Sequence, residues 1–319
     1  MHEKYVLEFE EPLRQIRQKI QEIKEWDDYD PDEAKNEIKR LEEQEQKLRQ
    51  ELYSNLTNWQ RVLISRHPDR YYTLDYIDEM FTDFVELHGD RCAGDDPAMV
   101  AGFARFNGTP VAVIGQQKGR DNESRIARNF GMANPEGYRK ALRIMKLAEK
   151  FNRPVITFVD TPGAFPGIEA EKHGQGEAIA VNLREMSGLK VPIIVTIIGE
   201  GGSGGGLGIG VGDRVLMLEN AWYSVIAPES CSTILMKNPD KKEKFAEYLK
   251  LSAHELKNLG IIDVIIREPL GGAHNNPGQV VRDLRDEIGK LLEQLKTIPA
   301  QKLVQQRIEK LMKMGRWSE

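Results

Sequence analysis

The chain has 319 residues, long enough for one large domain with appendages. Hydrophobic residues make up 40% and charged residues 30%, which supports a packed core and excludes wholesale disorder. A net charge of −5 excludes a general attraction to nucleic acid or anionic membrane.

The opening "MHEKYVLEFEEPL" lacks the basic-then-apolar layout of a signal peptide. No apolar run approaches the ~20 residues that span a bilayer, so a cytoplasmic protein is expected. Leu13, Ile16, Ile20 and Ile23 recur at helical spacing, and Ile38, Leu41, Leu48, Leu52 and Leu56 line one face of a second helix. Asp30 is placed to cap that helix, with Pro31 in its first turn and Glu33 at capping-box spacing. The two predict a helical hairpin arm with no chemistry of its own.

From residue 98 the pattern changes. "AMVAGFARF", then Asn107-Gly108, then "TPVAVIGQQ" predicts two strands and a hairpin turn. "NPEGYRKALRIMKLAEKF" predicts a helix with Asn134 as cap and Pro135 at its first position. The strand "PVITFVD" follows, then the loop "TPGAFPG", a helix over "GEAIAVNLREMSGL" and the strand "VPIIVTIIG". "RVLMLEN" and "WYSVIAP" give another strand pair before the helix "ESCSTILMK"; "IIDVIIRE" is a last strand, and residues 279–312 are helical. The class is α/β, with strand-strand-helix as the recurring unit. Cys92 and Cys231 form no CxxC pattern, so neither a disulfide framework nor a zinc site is expected.

Residues 199–212, "GEGGSGGGLGIGVG", hold nine glycines in fourteen positions. Glycine loses the most backbone freedom on folding, so the stretch needs either a tight path or a ligand against the main chain. A Walker-type phosphate loop requires a lysine that is absent here, and "DTPG" at 160–163 alone is a weak nucleotide signal. Gly199, Gly201 and Gly204 spell a dinucleotide-type spacing, but late in the chain. Gly201, Ser203 and Gly205 match the nucleophile elbow of a serine hydrolase, with Asp213 or Asp263 and His254 or His274 as partners. The remaining chemical reading is an oxyanion hole of backbone amides, which needs a sharp turn without Cβ atoms and no side-chain catalyst. Close helix–sheet packing alone calls for one or two small residues.

"NFGMANPEGYRKALR" (129–143), "FVDTPGAFPG" (158–167), "GEGGSGGGLGIGVGD" (199–213), "YSVIAPESCSTI" (223–234) and "EPLGGAHNNP" (268–277) closely resemble the α subunit of bacterial acetyl-CoA carboxylase carboxyltransferase. The resemblance runs over nearly the whole chain. It implies a crotonase-like spiral core at 66–278, preceded by the arm at 1–65 and followed by C-terminal helices at 279–319. It implies transfer of a carboxyl group from carboxybiotin, carried on the biotin carboxyl carrier protein, to acetyl-CoA, giving malonyl-CoA for fatty acid synthesis. It also implies a β subunit bearing a zinc ribbon, an α2β2 heterotetramer, and biotin carboxylase in the wider complex, with no metal in this chain. On this reading Gly204 and Gly205 are catalytic, their amides holding the ureido oxygen of biotin. Gly201, Gly202, Gly163, Phe165 and Gly167 bind substrate, and Ser203 is a turn residue. The basic segment with Lys118, Arg120, Arg125 and Arg128 is a solvated face, or else meets coenzyme A phosphates or the partner. Glu169 and Glu171 match a helix dipole.

Overall fold

In the computed structural model, which describes residues 5–26 and 29–315, two helices lie side by side: α1 (Glu11–Glu25) and α2 (Pro31–Ser54). Ile16, Ile20 and Leu41 form a small cluster between them, with Ile23, Ile38 and Leu48 packed around it. Asp30 caps α2 by accepting the amides of Asp32 and Glu33 at 3.0 Å, and Leu56 lies beyond the helix end. Residues 1–4 and 316–319, the outer ends of the expected arm and C-terminal segment, lie outside the described residues.

The next elements have no counterpart in the sequence reading: α3 (Asn58–Ser65), α4 (Thr73–Met80) and an edge strand β1 (Thr82–Glu86). β2 (Met99–Phe106) and β3 (Thr109–Gln116) then pair through Asn107 and Gly108, whose φ values of 47° and 78° are those a tight hairpin requires. After α5 (Asn122–Ala127) comes α6 (Pro135–Lys150). Asn134 occupies its cap position, but its side chain makes no capping bond; its backbone N–H donates to Asp96 instead, at 2.5 Å.

β4 (Val155–Thr161), α7 (Ile168–Lys172), α8 (Gln175–Gly188), β5 (Ile193–Gly202) and the short α9 (Ser203–Leu207) follow. β6 (Arg214–Leu218), β7 (Trp222–Ser224), α10 (Pro228–Met236), α11 (Lys242–Tyr248), α12 (Ala253–Asn258) and β8 (Val264–Ile266) complete the core. The helical stretch expected after 279 is two helices, α13 (Pro277–Lys296) and α14 (Ala300–Lys313), separated at Pro299.

The sheet runs β1-β2-β3-β4-β5-β6-β8, antiparallel among the first three strands and parallel from β3 onward, with β7 pairing the end of β5. The strand-strand-helix unit is explicit in β2-β3-α6 and β6-β7-α10. In the middle it is compressed: the β4–β5 register shifts after Val159, and the last residues of β5 pair with β7. β4 and β5 are buried on both faces, as parallel strands with helices on either side require. Phe158 stacks on Tyr76 of α4, while its neighbour Thr157 donates to the carbonyl of Ile209 just past α9. Successive strand side chains face opposite ways, so α4 and α9 cover opposite faces.

α14 is fastened by one fully buried guanidinium. Arg307 makes two bonds to Asp213, at 2.9 and 2.8 Å, and donates to the carbonyls of Met186, Leu189 and Val191 around the end of α8. Among the described residues no helix is long and apolar enough to cross a membrane.

Candidate active site

Three loops meet where β3, β4 and β5 end. Because these strands are neighbours and parallel, the basic segment after β3, the "TPGAFPG" loop after β4 and the glycine turn after β5 emerge on the same edge. This is the edge at which parallel α/β sheets collect ligands. Gln116, fully buried, ties the three together. Its side-chain N–H donates to the Gly205 carbonyl at 2.9 Å, and its Oε1 accepts the Asp160 amide at 3.1 Å.

β5 passes into α9 at Ser203, whose φ is 52°. The amides of Ser203, Gly204 and Gly205 open the helix, so the helix itself cannot satisfy them. Gly204 is half-buried and Gly205 buried, while Ser203 and Leu207 are exposed. Beside them Gly163 has no atom within 4 Å of where a Cβ would stand, which leaves open space at the turn. Opening amides on a backbone this poor in side chains are suited to a small oxyanion.

The glycines are explained by crowding more than the sequence reading allowed. An added Cβ would stand 2.1 Å from the Pro162 carbonyl oxygen at Gly202 and 2.4 Å from Gly163 at Gly205. It would stand 2.5 Å from Asp160 at Gly199, 2.6 Å from Tyr223 at Gly201 and 2.5 Å from Tyr138 at Gly208. Only at Gly204 is the nearest atom, Ile179 Cδ1, at an ordinary 3.4 Å. Close packing therefore accounts for far more than one or two of these positions.

The turn is also less poor in charge than its glycines suggest. Glu200 lies among them, buried, and pairs with Arg66 and with Lys118, each at 2.7 Å. Lys118 also pairs with Asp160 at 2.7 Å, and Arg66 with Glu229. Burial pushes the Glu200 carboxyl up, but the two cations outweigh it and hold it at about 2. For Asp160 burial is the larger effect and lifts its carboxyl above the usual range despite Lys118. A cavity of about 430 Å³ opens beside this network, with Arg66, Lys118 and Arg125 on its wall, Glu200 between them, and Tyr72, Phe130 and Pro162 as its apolar side.

A family model described as "Acetyl co-enzyme A carboxylase carboxyltransferase-like" matches residues 6–315. A protein named acetyl-coenzyme A carboxylase carboxyl transferase subunit alpha, from Geobacter metallireducens, is 54% identical over 319 residues and 100% of both chains. Its namesake from Bordetella pertussis is 53% identical over 98% of each. The chain belongs to the acetyl-CoA carboxylase carboxyltransferase α family. Among solved structures, transcarboxylase 12S matches with a TM-score of 0.58 at 22% identity, over 72% of this chain and 42% of that one. A Pseudomonas malonate decarboxylase hetero-tetramer in complex with coenzyme A gives a TM-score of 0.55 at 18% identity, over 68% of this chain and 86% of the other. These likenesses establish the fold, which is that of the crotonase-like carboxyltransferases.

Within this carboxyltransferase chain, Gly163, Phe165 and Gly167 lie on the loop after β4, Gly201 and Gly202 end β5, and Gly204 and Gly205 open α9. None of the seven lines the 430 Å³ cavity, which borders the segment after β3 and touches the other two only through Pro162 and Glu200. The Gly163 amide is spent on Thr161 Oγ1 at 3.1 Å and that of Phe165 on the Ala133 carbonyl at 3.0 Å, so these two can offer shape but no N–H. The Phe165 ring packs where a Cβ of Gly167 would stand, 2.4 Å away. The basic segment is not simply a solvated face. Lys118 is half-buried and ion-paired, Arg120 pairs with Asp75, and Arg128 donates to the Pro97 carbonyl. Glu169 and Glu171 fall in the first turn of α7 as expected.

The hydrolase reading finds no support. Ser203 has the strained φ of a nucleophile elbow, but its proposed partners are engaged elsewhere. Asp213 is taken by Arg307 and Asp263 by Lys310; His254 reaches Glu219, and His274 stacks on His67 with ring centres 3.7 Å apart. Sequence reasoning missed Gln116, Glu200 and Arg66, and met Asp160 only as the first residue of "DTPG". The one available signal was a lone acid inside a glycine run. Among the described residues no His, Cys, Asp and Glu side chains gather as they would around a metal ion, and both cysteines are free.

Proposed function

We propose that this chain supplies the biotin side of a two-subunit carboxyltransferase, which moves a carboxyl group from carboxybiotin on a carrier protein to acetyl-CoA and yields malonyl-CoA. The observation that carries it is the full-length membership of the α family combined with a backbone-amide turn at the strand ends. Carboxybiotin supplies the activated carboxyl group, and once that group is given up its ureido oxygen bears negative charge. The turn suits such a group: amides open a short helix there, and space is open at the Cβ position of Gly163.

The amides of Gly204 and Gly205 hold that oxygen, each lost donor costing ~3–4 kcal/mol of barrier. Gly201 and Gly202 bring the backbone close enough to do so, and Gly163, Phe165 and Gly167 shape the opposite wall. No side chain of this chain is asked to take the acetyl methyl proton. The half-site is open: Ser203 and Leu207 are exposed, and Ile168 stands 77% exposed at the start of α7. The β subunit closes it and carries the zinc ribbon and most of the acetyl-CoA, within an α2β2 assembly in the cytoplasm that also receives the carrier protein and biotin carboxylase.

Incubating the purified chain, its β subunit, a carboxybiotin donor and acetyl-CoA should produce malonyl-CoA only when both subunits are present. Malonyl-CoA made by this chain alone would overturn the shared site.

A further inference from the structure

Lys118 is a half-buried cation at the site to which the reading above gives no task. Its ammonium sits between Asp160 Oδ1 and Glu200 Oε2, 2.7 Å from each. The same Asp160 oxygen accepts the Glu200 backbone N–H at 2.9 Å. One carboxylate oxygen thus holds both the cation and the peptide that leads into Gly201. The surroundings are cut to fit. A Cβ at Gly199 would meet Asp160 Oδ1 at 2.5 Å, and one at Gly131 would meet Lys118 Cγ at 2.9 Å.

We infer that Lys118 is a positioning residue: by neutralising Asp160 and Glu200 together, it lets Asp160 grip the Glu200 peptide and so sets the path of the glycine turn. This rests on the turn being the active one. Without the ammonium, two carboxylates would share a buried site and could not both remain ionised. Asp160 would take the proton, since burial already lifts it while Arg66 still holds Glu200 down. The other charged and titratable groups facing the pair do not replace Lys118. Arg66 and Glu229 lie beyond Glu200; Arg70 is committed to Glu268; Tyr72 and Tyr76 bring no positive charge; and Arg125 donates to Gly119 across the cavity.

The test uses the complex purified with its β subunit, with assembly checked by size-exclusion. In Lys118→Met, kcat should fall by about 10²-fold, the loss a displacement of about 1 Å can cause, with KM for acetyl-CoA nearly unchanged. Its kcat should also fall further as rising pH ionises Asp160 beside Glu200, a limb the unmodified complex lacks. Lys118→Met combined with Asp160→Asn keeps an acceptor for the Glu200 N–H without the charge, and should recover most of the loss and flatten the profile. An assembled Lys118→Met complex with unaltered kcat would overturn the role, and so would a double variant no better than the single one. If Lys118→Met does not assemble, the double variant decides alone: activity near that of the unmodified complex supports the role, and inactivity or failure to assemble overturns it. A biotin-bound structure separates this from the reading beneath it. A ureido oxygen lying away from Gly204 and Gly205 sinks that reading, whereas one lying against them, with Lys118→Met fully active, sinks the positioning role alone.

Discussion

A methyl group at Gly202 would collide with the Pro162 carbonyl oxygen at 2.1 Å, and both partners are backbone, so neither can turn away. Gly202→Ala should therefore cost about 1–3 kcal/mol, the range for overpacking, and lower activity as the two loops part. Gly176, exposed on α8 with nothing within 4 Å of its Cβ position, is the matched control; Gly176→Ala should gain about 0.5–1 kcal/mol from helix propensity. Urea unfolding of the two variants checks both signs. The comparison also marks a limit of the sequence at this scale. Nine glycines in a row of fourteen announce a special backbone, but the atoms that forbid a Cβ come from Pro162, Asp160, Tyr138 and Tyr223, on other elements. Glu200 was hidden for the same reason, since Arg66 and Lys118 are 134 and 82 residues away.

Among the elements, those with local causes were legible. The Asn107-Gly108 hairpin needs only two residues that tolerate positive φ, and the arm needs only a helical stripe of aliphatics with Asp30 in front. α3, α4 and β1 were not legible. Two are helices of 8 residues, too short to show a period, and the strand's exposed and half-buried positions lie at a sheet edge. α14 was read as a helix, but not as a clamp. Arg307 satisfies Asp213 and three carbonyls in a dry setting, so Arg307→Met would strand a buried carboxylate. The expected loss is about 3–5 kcal/mol, seen as a lower denaturant midpoint, with α14 released early in limited proteolysis. A midpoint equal to that of the parent would mean that the guanidinium contributes only packing.

For the whole molecule, the site is a set of loops at one sheet edge with an open side, and apolar side chains stand out near it. Ile234 and Leu235 on α10 are 69% and 66% exposed, and Val225 is 75% exposed. Such a surface suits an obligate partner. Amide hydrogen exchange in α10 should slow when the β subunit is added, and unchanged exchange there would put the contact on another face. Arg307 carries a consequence for how the chain is made. The carbonyls it binds belong to residues 186–191, yet the guanidinium comes 116 to 121 positions later in the chain. Synthesis must therefore run past position 307 before the junction between α8 and β5 can close. A message cut short upstream of codon 307 would yield a product whose Asp213 carboxylate and three central carbonyls never meet their cation.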